Sequence, residues 1–123
     1  IGVTMIDSDA FYDCPSLSSI VIPNDVETIN TYAFGYCKSL SSITIPEDVT
    51  YIGIGAFYSC AGMSYYDFKD SKSVPTLSNT NTFNSIPNDC KIVVPDSLYD
   101  SWIAATNWSK YESKIVKASD FNV

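Results

Sequence analysis

Residues 6–28 read IDSDAFYDCPSLSSIVIPNDVET, and residues 29–51 read INTYAFGYCKSLSSITIPEDVTY. The second stretch follows the first without a gap and is identical to it at 13 of 23 positions. A unit of this length cannot bury its own apolar face, but stacked units can bury theirs against each other. The repeat therefore predicts a solenoid with rows of Leu, Ile, Phe and Cys side chains inside.

The repeat extends beyond these two units. It returns at residues 52–68 and, after a slip of about two or three residues, a last time with KIVVP (Lys91–Pro95) in the place of SIVIP (Ser19–Pro23). At the front of the chain, residues 3–6 match the end of a unit. We therefore expect residues 1–95 to hold about three and a half coils and to begin inside a unit whose first half is missing.

Each unit is predicted to contain one short strand. The run Ile20-Val21-Ile22 alternates with a period of two, which places Ile20 and Ile22 inside and Val21 outside. Pro23 lacks an N–H group and should end the hydrogen-bonded ladder.

The repeated pattern is AF-x-x-C-x-x-L-x-x-I-x-I-P-x-x-V-x-x-I, found at Ala10–Ile29 and again at Ala33–Ile52. It resembles the leucine-rich repeats of the BspA-like family, over about residues 3–95. The resemblance implies an α/β, β-rich leucine-rich-repeat solenoid in an exported bacterial protein, on the cell surface or secreted, with its signal and anchor outside this sequence. Members of the family take part in adhesion to host proteins and to other bacteria, and catalytic activity is not typical of them.

The end of the chain differs from the repeats. Residues 92–116 also look like the ending that such arrays carry in surface proteins of gut bacteria. Pro95-Asp96-Ser97 is a typical helix start, and Asn107 indicates a break. One helical face before the break would carry Leu98, Trp102 and Ala105, and a second stripe after it would carry Trp108, Tyr111 and Ile115. Because a solenoid needs its open end covered, residues 96–123 are predicted to form a helical C-terminal cap.

Composition excludes several functions. The chain has seven Lys, no Arg, no His and 14 acidic residues, for a net charge of −7. An acidic chain without Arg is not expected to bind nucleic acid. Without His it has no Ser-His-Asp site and no imidazole metal ligand. Apolar runs are too short for membrane insertion, and we expect no cofactor, no metal and no enzymatic activity.

Three residue types leave alternatives open. Cys14, Cys37 and Cys60 share one inward position and are expected to be free buried thiols, while Cys90 falls in another row and should not reach them. A thiolate metal site is the alternative. The acidic residues fall mostly in predicted turns. They are either solvent-exposed turn residues or, as the alternative, part of a paired-carboxylate or metal site. The last type is tyrosine. Four tyrosines are expected to form an aromatic strip that is either exposed or partly buried against the neighbouring coil, namely Tyr12, Tyr32, Tyr36 and Tyr58.

The outward strand positions are the predicted ligand-binding surface on the concave face. They are Ser19 and Val21, Ser42 and Thr44, Tyr65 and Asp67, and Lys91 and Val93. Tyr65 is the expected hot spot, with Asp67 beside it. The alternative is a solvated sheet face whose ligand site lies on missing repeats.

Three functional hypotheses follow. The first is a surface module that binds an extracellular host or bacterial protein or glycoprotein through the solenoid face. The second is a passive spacer that presents another domain, and the third is a hydrolase that uses paired Asp residues. In addition, the open first coil leaves Val3, Met5 and Ile6 without an upstream neighbour, so the chain is expected to be able to dimerise end to end.

Overall fold

The computed structural model describes residues 2–121; residue 1 and residues 122 and 123, the outer limits of the two expected domains, lie outside that range. Within it, eight short strands form two parallel four-stranded sheets, so the chain is a mixed α/β protein. The first sheet contains, in spatial order, β1 (Met5–Ile6), β2 (Thr28–Ile29), β4 (Tyr51–Ile52) and β6 (Thr76–Leu77). The second sheet contains β3 (Ser42–Thr44), β5 (Tyr65–Asp67), β7 (Lys91–Val94) and β8 (Ile115–Lys117).

The first sheet has a regular register. Ile6 pairs with Ile29 and Ile29 pairs with Ile52, so both steps equal the period of the sequence repeat. Ile52 pairs with Leu77, and this step is longer by two residues, which lie between β4 and β6. We call the chain from one of these buried residues to the next a coil, which gives residues 6–28, 29–51, 52–76 and a last coil, 77–95.

The second sheet continues onto the C-terminal part of the chain. Ser42 pairs with Tyr65 at the same period, and Tyr65 pairs with Lys91 across a slightly longer coil. β8 then adds to β7, with Ile92 opposite Ile115. Because β8 pairs in parallel at the far side of β7, the backbone of the last coil has a neighbour on that side as well.

The segments between the sheets stack on one another through a third set of backbone hydrogen bonds. The N–H of Phe11 donates to the carbonyl of Ala33 at 2.8 Å, and the N–H of Phe34 donates to Ala56 at the same distance. Inside these segments the phenyl rings form a continuous stack. Ring centroids are 5.2 Å apart for Phe11 and Phe34, 5.5 Å for Phe34 and Phe57, and 5.7 Å for Phe57 and Phe83.

The prediction of a strand at Ile20–Ile22, in the first coil, is wrong. Residues 17–23 form no strand, and the side chain of Val21 is 91% exposed. Ile22 is buried, but Ile20 is only half-buried. A segment at the end of a stack has a neighbour on one side only, and Pro23 removes one of the donors for that side. The pairing of the second sheet therefore begins one coil later, at β3.

After β7 the chain forms a short 3-10 helix, Asp96–Leu98, and then helix α1, Tyr99–Ala104. Asn107 follows with a φ of +67°, in the left-handed region, and interrupts the helical path. A second 3-10 segment, Trp108–Lys114, leads directly into β8. Ile115 therefore lies in a strand, and its predicted place on a second helical stripe is wrong.

The C-terminal segment, residues 96–121, contacts the last two coils through side chains. The Trp108 Nε1–H donates a 2.7 Å hydrogen bond to the carbonyl of Pro75, and the Asn107 amide donates one of 2.7 Å to the carbonyl of Leu77. The Lys114 ammonium donates to the carbonyls of Pro87 and Asn88 at 3.0 and 3.1 Å. These side chains thus supply hydrogen-bond donors to backbone carbonyl groups at the end of the stack.

Candidate functional site

The expected binding face divides into an exposed half and a covered half. In the first two coils, Ser19, Val21 and Thr44 are exposed and Ser42 is half-buried. Their side chains are small, and none carries a charge. Ser19, Val21 and Thr44 are thus accessible from solvent, and Ser42 only in part.

Tyr65 lies on the covered half. It is half-buried, and the centroid of its ring is 5.3 Å from that of Phe121. After β8 the chain turns through the 3-10 segment Ala118–Asp120 and returns towards β5. The N–H of Ser119 donates a 3.0 Å hydrogen bond to Asp96 Oδ1, which holds this return in place. Hydrogen bonding from the Ser119 side chain, together with that from its backbone, lowers the pKa of Asp96 from 3.8.

Asp67 is buried, with only 4% of its surface exposed, and its expected exposure is wrong. Its carboxylate accepts a hydrogen bond of 3.0 Å from the backbone N–H of Lys69 and one of 2.9 Å from the Lys69 ammonium. Hydrogen bonding and the charge of Asp67 raise the pKa of Lys69 above 10.5. Because the buried carboxylate of Asp67 is already paired with a positive charge and hydrogen-bonded, it is poorly placed to bind an outside ligand.

Val93 is fully buried, so it too departs from the expected exposed position. It lies in the middle of the second sheet, between Asp67 of β5 and Val116 of β8. Lys91, at the start of the same strand, is half-buried. Of the four predicted site residues on β5 and β7, none is fully exposed, because the C-terminal segment packs beside and over these strands.

Four tyrosines form a second candidate surface. Tyr12 is 44% exposed, and Tyr32, Tyr36 and Tyr58 are half-buried. Their rings meet edge to face, with centroids 5.6 Å apart for Tyr12 and Tyr36 and 5.5 Å apart for Tyr36 and Tyr58. We call these four residues the tyrosine cluster. It combines the two readings that the sequence left open, since the rings bury their edges against each other and expose the remaining surface.

The ring of Tyr32 lies against the backbone of the neighbouring coil. A Cβ atom at Gly55 would lie 2.5 Å from Tyr32 Cε1, and the φ of Gly55 is +62°. Glycine adopts this backbone conformation without strain, and a side chain at position 55 would force the ring of Tyr32 to move. Partial burial and the neighbouring Tyr58 raise the pKa of Tyr36 above 10, so its phenol is neutral at physiological pH.

All four cysteines are free, as the sequence analysis expected for the row of three. The Cys37 thiol donates to the carbonyl of Phe11 at 3.2 Å, and the Cys60 thiol donates to that of Phe34 at 3.2 Å. Burial raises the pKa of Cys60 to about 12 and that of Cys90 to about 12. The Cys90 thiol is likewise buried and free.

Residues 2–121 contain neither a metal-binding group of side chains nor a membrane-spanning helix. No three side chains of the Cys, Asp and Glu types are grouped there in a way that could hold a metal ion. Over the same range, no helix has the length and apolar character needed to cross a lipid bilayer.

Two comparisons with known proteins bear on the chain. The family model for the BspA type leucine rich repeat region matches residues 4–109 in six copies. Six complete units with the period of this sequence would not fit into that range, so the six copies do not coincide one by one with the coils. No curated protein sequence matches the chain.

Proposed function

The chain belongs to the family of BspA-type leucine-rich repeats, and on that premise we propose that it is a non-catalytic interaction module of a cell-surface or secreted protein. Its partner would be an extracellular host or bacterial protein or glycoprotein. Leucine-rich repeats present rows of side chains from successive coils, which suits them to extended contacts with a protein surface.

The proposal includes the architecture that presents this surface. Residues up to 95 form a short solenoid whose coils follow the sequence repeat, and residues from 96 onwards form a cap of helical turns and one added strand. The hydrogen bonds from Trp108 and Asn107 to the chain at β6, and the pairing of β8 with β7, support the role of this segment as a cap. A covered end leaves the sides of the coils as the surfaces available for binding.

One observation carries the proposed function. Val21 and Thr44 are exposed at equivalent positions of successive coils, and the half-buried Ser42 lies two residues before Thr44 on the same strand. An exposed Val next to small polar residues is the kind of flat surface that a protein partner can cover. The proposed contact face is therefore this exposed half of the predicted surface, with Tyr65 and Lys91 at its margin.

A plate binding assay tests the proposal. The folded chain would be applied to fibronectin, fibrinogen, mucin and a glycan array, beside the double variant Val21→Lys/Thr44→Lys. The matched control is Ser97→Lys/Ser101→Lys, which adds the same charge at two exposed positions of the C-terminal segment. Saturable binding that is lost only in the first variant supports the proposal, and binding that both variants keep would place the contact elsewhere.

A passive spacer is the second candidate function. It is favoured by the burial of Asp67 and Val93 and by the packing of Tyr65 against Phe121, which remove half of the predicted face. If the folded chain binds none of the plated ligands, we prefer the spacer. A spacer would also tolerate the Val21→Lys/Thr44→Lys change without loss of any function of the longer protein.

We also propose that the chain can associate end to end through the first coil. Val3 is 52% exposed and Met5 is 46% exposed, and within residues 2–121 β1 has a partner strand on one side only. An unpaired strand edge with apolar side chains can pair with a second copy. Light scattering at high concentration should show a dimer that Met5→Lys abolishes and Val21→Lys does not; a monomer at all concentrations would refute it.

A further inference from the structure

Three members of the tyrosine cluster border an open pocket on the surface of the first two coils. Asp9, Tyr12, Tyr32 and Tyr36 line it, and its volume is about 480 Å³. The ring of Tyr12 is nearly perpendicular to the rings of Tyr32 and Tyr36, at 84° and 80°. The pocket thus has aromatic walls at right angles and one carboxylate.

Two of these tyrosines stand where the backbone would favour other residues. The φ angles of Tyr32 and Tyr36 are +54° and +60°, in the left-handed region that bulky residues rarely adopt. Their side chains, and not their backbone preferences, must account for their presence. Smaller residues occupy the equivalent places on other coils, namely Asp9 and Gly55 for Tyr32, and Asp13, Ser59 and Ser85 for Tyr36.

The charge of the chain is unevenly distributed in a way that matches the pocket. Residues 1–60 contain seven acidic residues and one lysine, whereas residues 61–123 contain seven acidic residues and six lysines. Nearly all of the net negative charge therefore belongs to the part of the chain that forms the pocket. None of the residues found to line the pocket is positively charged. Such a field attracts cations and raises their local concentration.

From these observations we propose that the pocket binds an arginine side chain of a partner protein, which rests on the proposed function as an interaction module. A guanidinium group can stack on a tyrosine face while its N–H groups donate to a carboxylate. The pocket provides both kinds of group, with Asp9 as the acceptor and the rings of Tyr12, Tyr32 and Tyr36 as walls. Its volume falls within the range of sites that enclose a small ligand group.

A guanidinium suits this site better than the other ligand groups. A lysine ammonium is a compact, strongly hydrated charge that gains less from flat aromatic walls. A neutral sugar could stack on a ring, but it would gain nothing from the negative charge of residues 1–60. The combination of crossed rings, one carboxylate and an acidic surrounding therefore points to arginine.

Nuclear magnetic resonance titration of the whole chain tests the proposal without knowledge of the partner. The probe is a blocked arginine (acetyl-arginine methylamide), compared with the blocked citrulline of the same shape and no charge. We expect saturable shifts confined to Asp9 and the ring signals of Tyr12, Tyr32 and Tyr36. Citrulline should bind at least about tenfold more weakly, because it lacks the charge on which cation–π and carboxylate contacts depend.

Variants distinguish the pocket from a general effect of charge. Asp9→Asn should weaken the blocked arginine several-fold, whereas Asp25→Asn, which removes one exposed acid of the same coil, should not. Tyr36→Asn removes a wall but suits the left-handed backbone, so the variant is expected to fold and to lose binding. Equal affinity for arginine and citrulline, or shifts with a methyl glycoside instead, would overturn the proposal.

The outcome is separable from that of the plate assay. If the pocket binds no arginine but the chain still adheres through Val21 and Thr44, the proposed function stands and the pocket proposal fails. If blocked arginine binds in the pocket but no plated protein is bound, the pocket proposal stands and the choice of partners is wrong.

Discussion

The ring of Phe121 packs against the ring of Tyr65, although β8, the last strand before it, is two strands away from β5 in the second sheet. The chain must therefore pass back over β7 after Lys117, and Val93 of that strand is fully buried. Phe121 therefore covers Tyr65, which the sequence analysis predicts as the hot spot of the contact surface. Access to Tyr65 thus depends on Phe121.

Removing this contact should uncover Tyr65. We expect Phe121→Ala to lower the free energy of unfolding by about 1 kcal/mol, the usual value of an aromatic pair, and to shift the ring signals of Tyr65 towards those of an exposed tyrosine. Phe121→Tyr keeps the stacked ring and is the control. If both variants leave the Tyr65 signals unchanged, Phe121 does not cover this residue in solution.

The phenylalanine stack should become more sensitive to truncation from its end to its middle. Phe57 is fully buried with a stacked ring on each side, whereas Phe11 is half-buried and stacks only on Phe34. We expect Phe57→Ala to cost about 3–5 kcal/mol and Phe11→Ala less than half of that, because less apolar surface and a smaller cavity are involved. Urea unfolding of the two variants gives both values. Equal costs would contradict the stacking order.

Identity between the first two units predicted which residues lie inside, because an inward row must be filled on every coil. The pairing of Ile6, Ile29 and Ile52 in the first sheet follows directly from it. The repeat did not predict the structure correctly where equivalent residues of two coils have different neighbouring segments. Residues 20–22 have a neighbour on one side only, and Val93 has the added strand β8 beside it.

The covered half of the binding face could not be foreseen from the repeat. The burial of Asp67 was not foreseen, because its carboxylate is held by the backbone N–H and the ammonium of Lys69 in the turn that follows β5. Nor was the return of Phe121 to Tyr65, because it depends on a tertiary contact of a segment that has no counterpart in the repeats. The tyrosine cluster was visible as a repeated position, but its positive φ angles and its pocket required the coordinates.

The two buried tryptophans should respond differently to loss of the indole N–H. Trp108 Nε1 donates to Pro75, whereas Trp102 Nε1 is buried with no hydrogen-bond partner in the part of the chain that the structure describes. Trp108→Phe leaves the Pro75 carbonyl without its donor, and Trp102→Phe removes an unsatisfied donor. We expect the first variant to cost about 1–3 kcal/mol more than the second. Chemical unfolding of both variants measures the difference, and a more stable Trp108→Phe would contradict it.

The thiols should differ in reactivity in the folded protein. Cys14 is half-buried at the open end of the stack, whereas Cys60 is fully buried and its pKa is raised to about 12. Since the thiolate is the reactive form, we expect iodoacetamide at pH 8 to modify Cys14 first and Cys60 only after unfolding. Mass spectrometry of timed samples gives the order. Early modification of Cys60 would mean that this part of the stack opens readily.

The same thiols should make the protein sensitive to high pH. Burial raises the pKa of Cys60 and Cys90 from 9 to about 12, so above pH 9 the unfolded chain releases protons that the folded chain keeps. The stabilisation is fully present below pH 9 and is lost as the pH rises towards 12, by at most about 1.4 kcal/mol per pH unit for each thiol. Burial also raises the pKa of Tyr66, which makes the loss of stability with rising pH steeper.

Urea unfolding at pH 8, 9 and 10 measures this loss. The free energy of unfolding should fall less with pH for Cys60→Ala/Cys90→Ala than for the unaltered chain. Val49→Ala, which truncates a buried side chain without a titrating group, controls for destabilisation alone, and an equal slope in all three proteins would refute the assignment to the thiols.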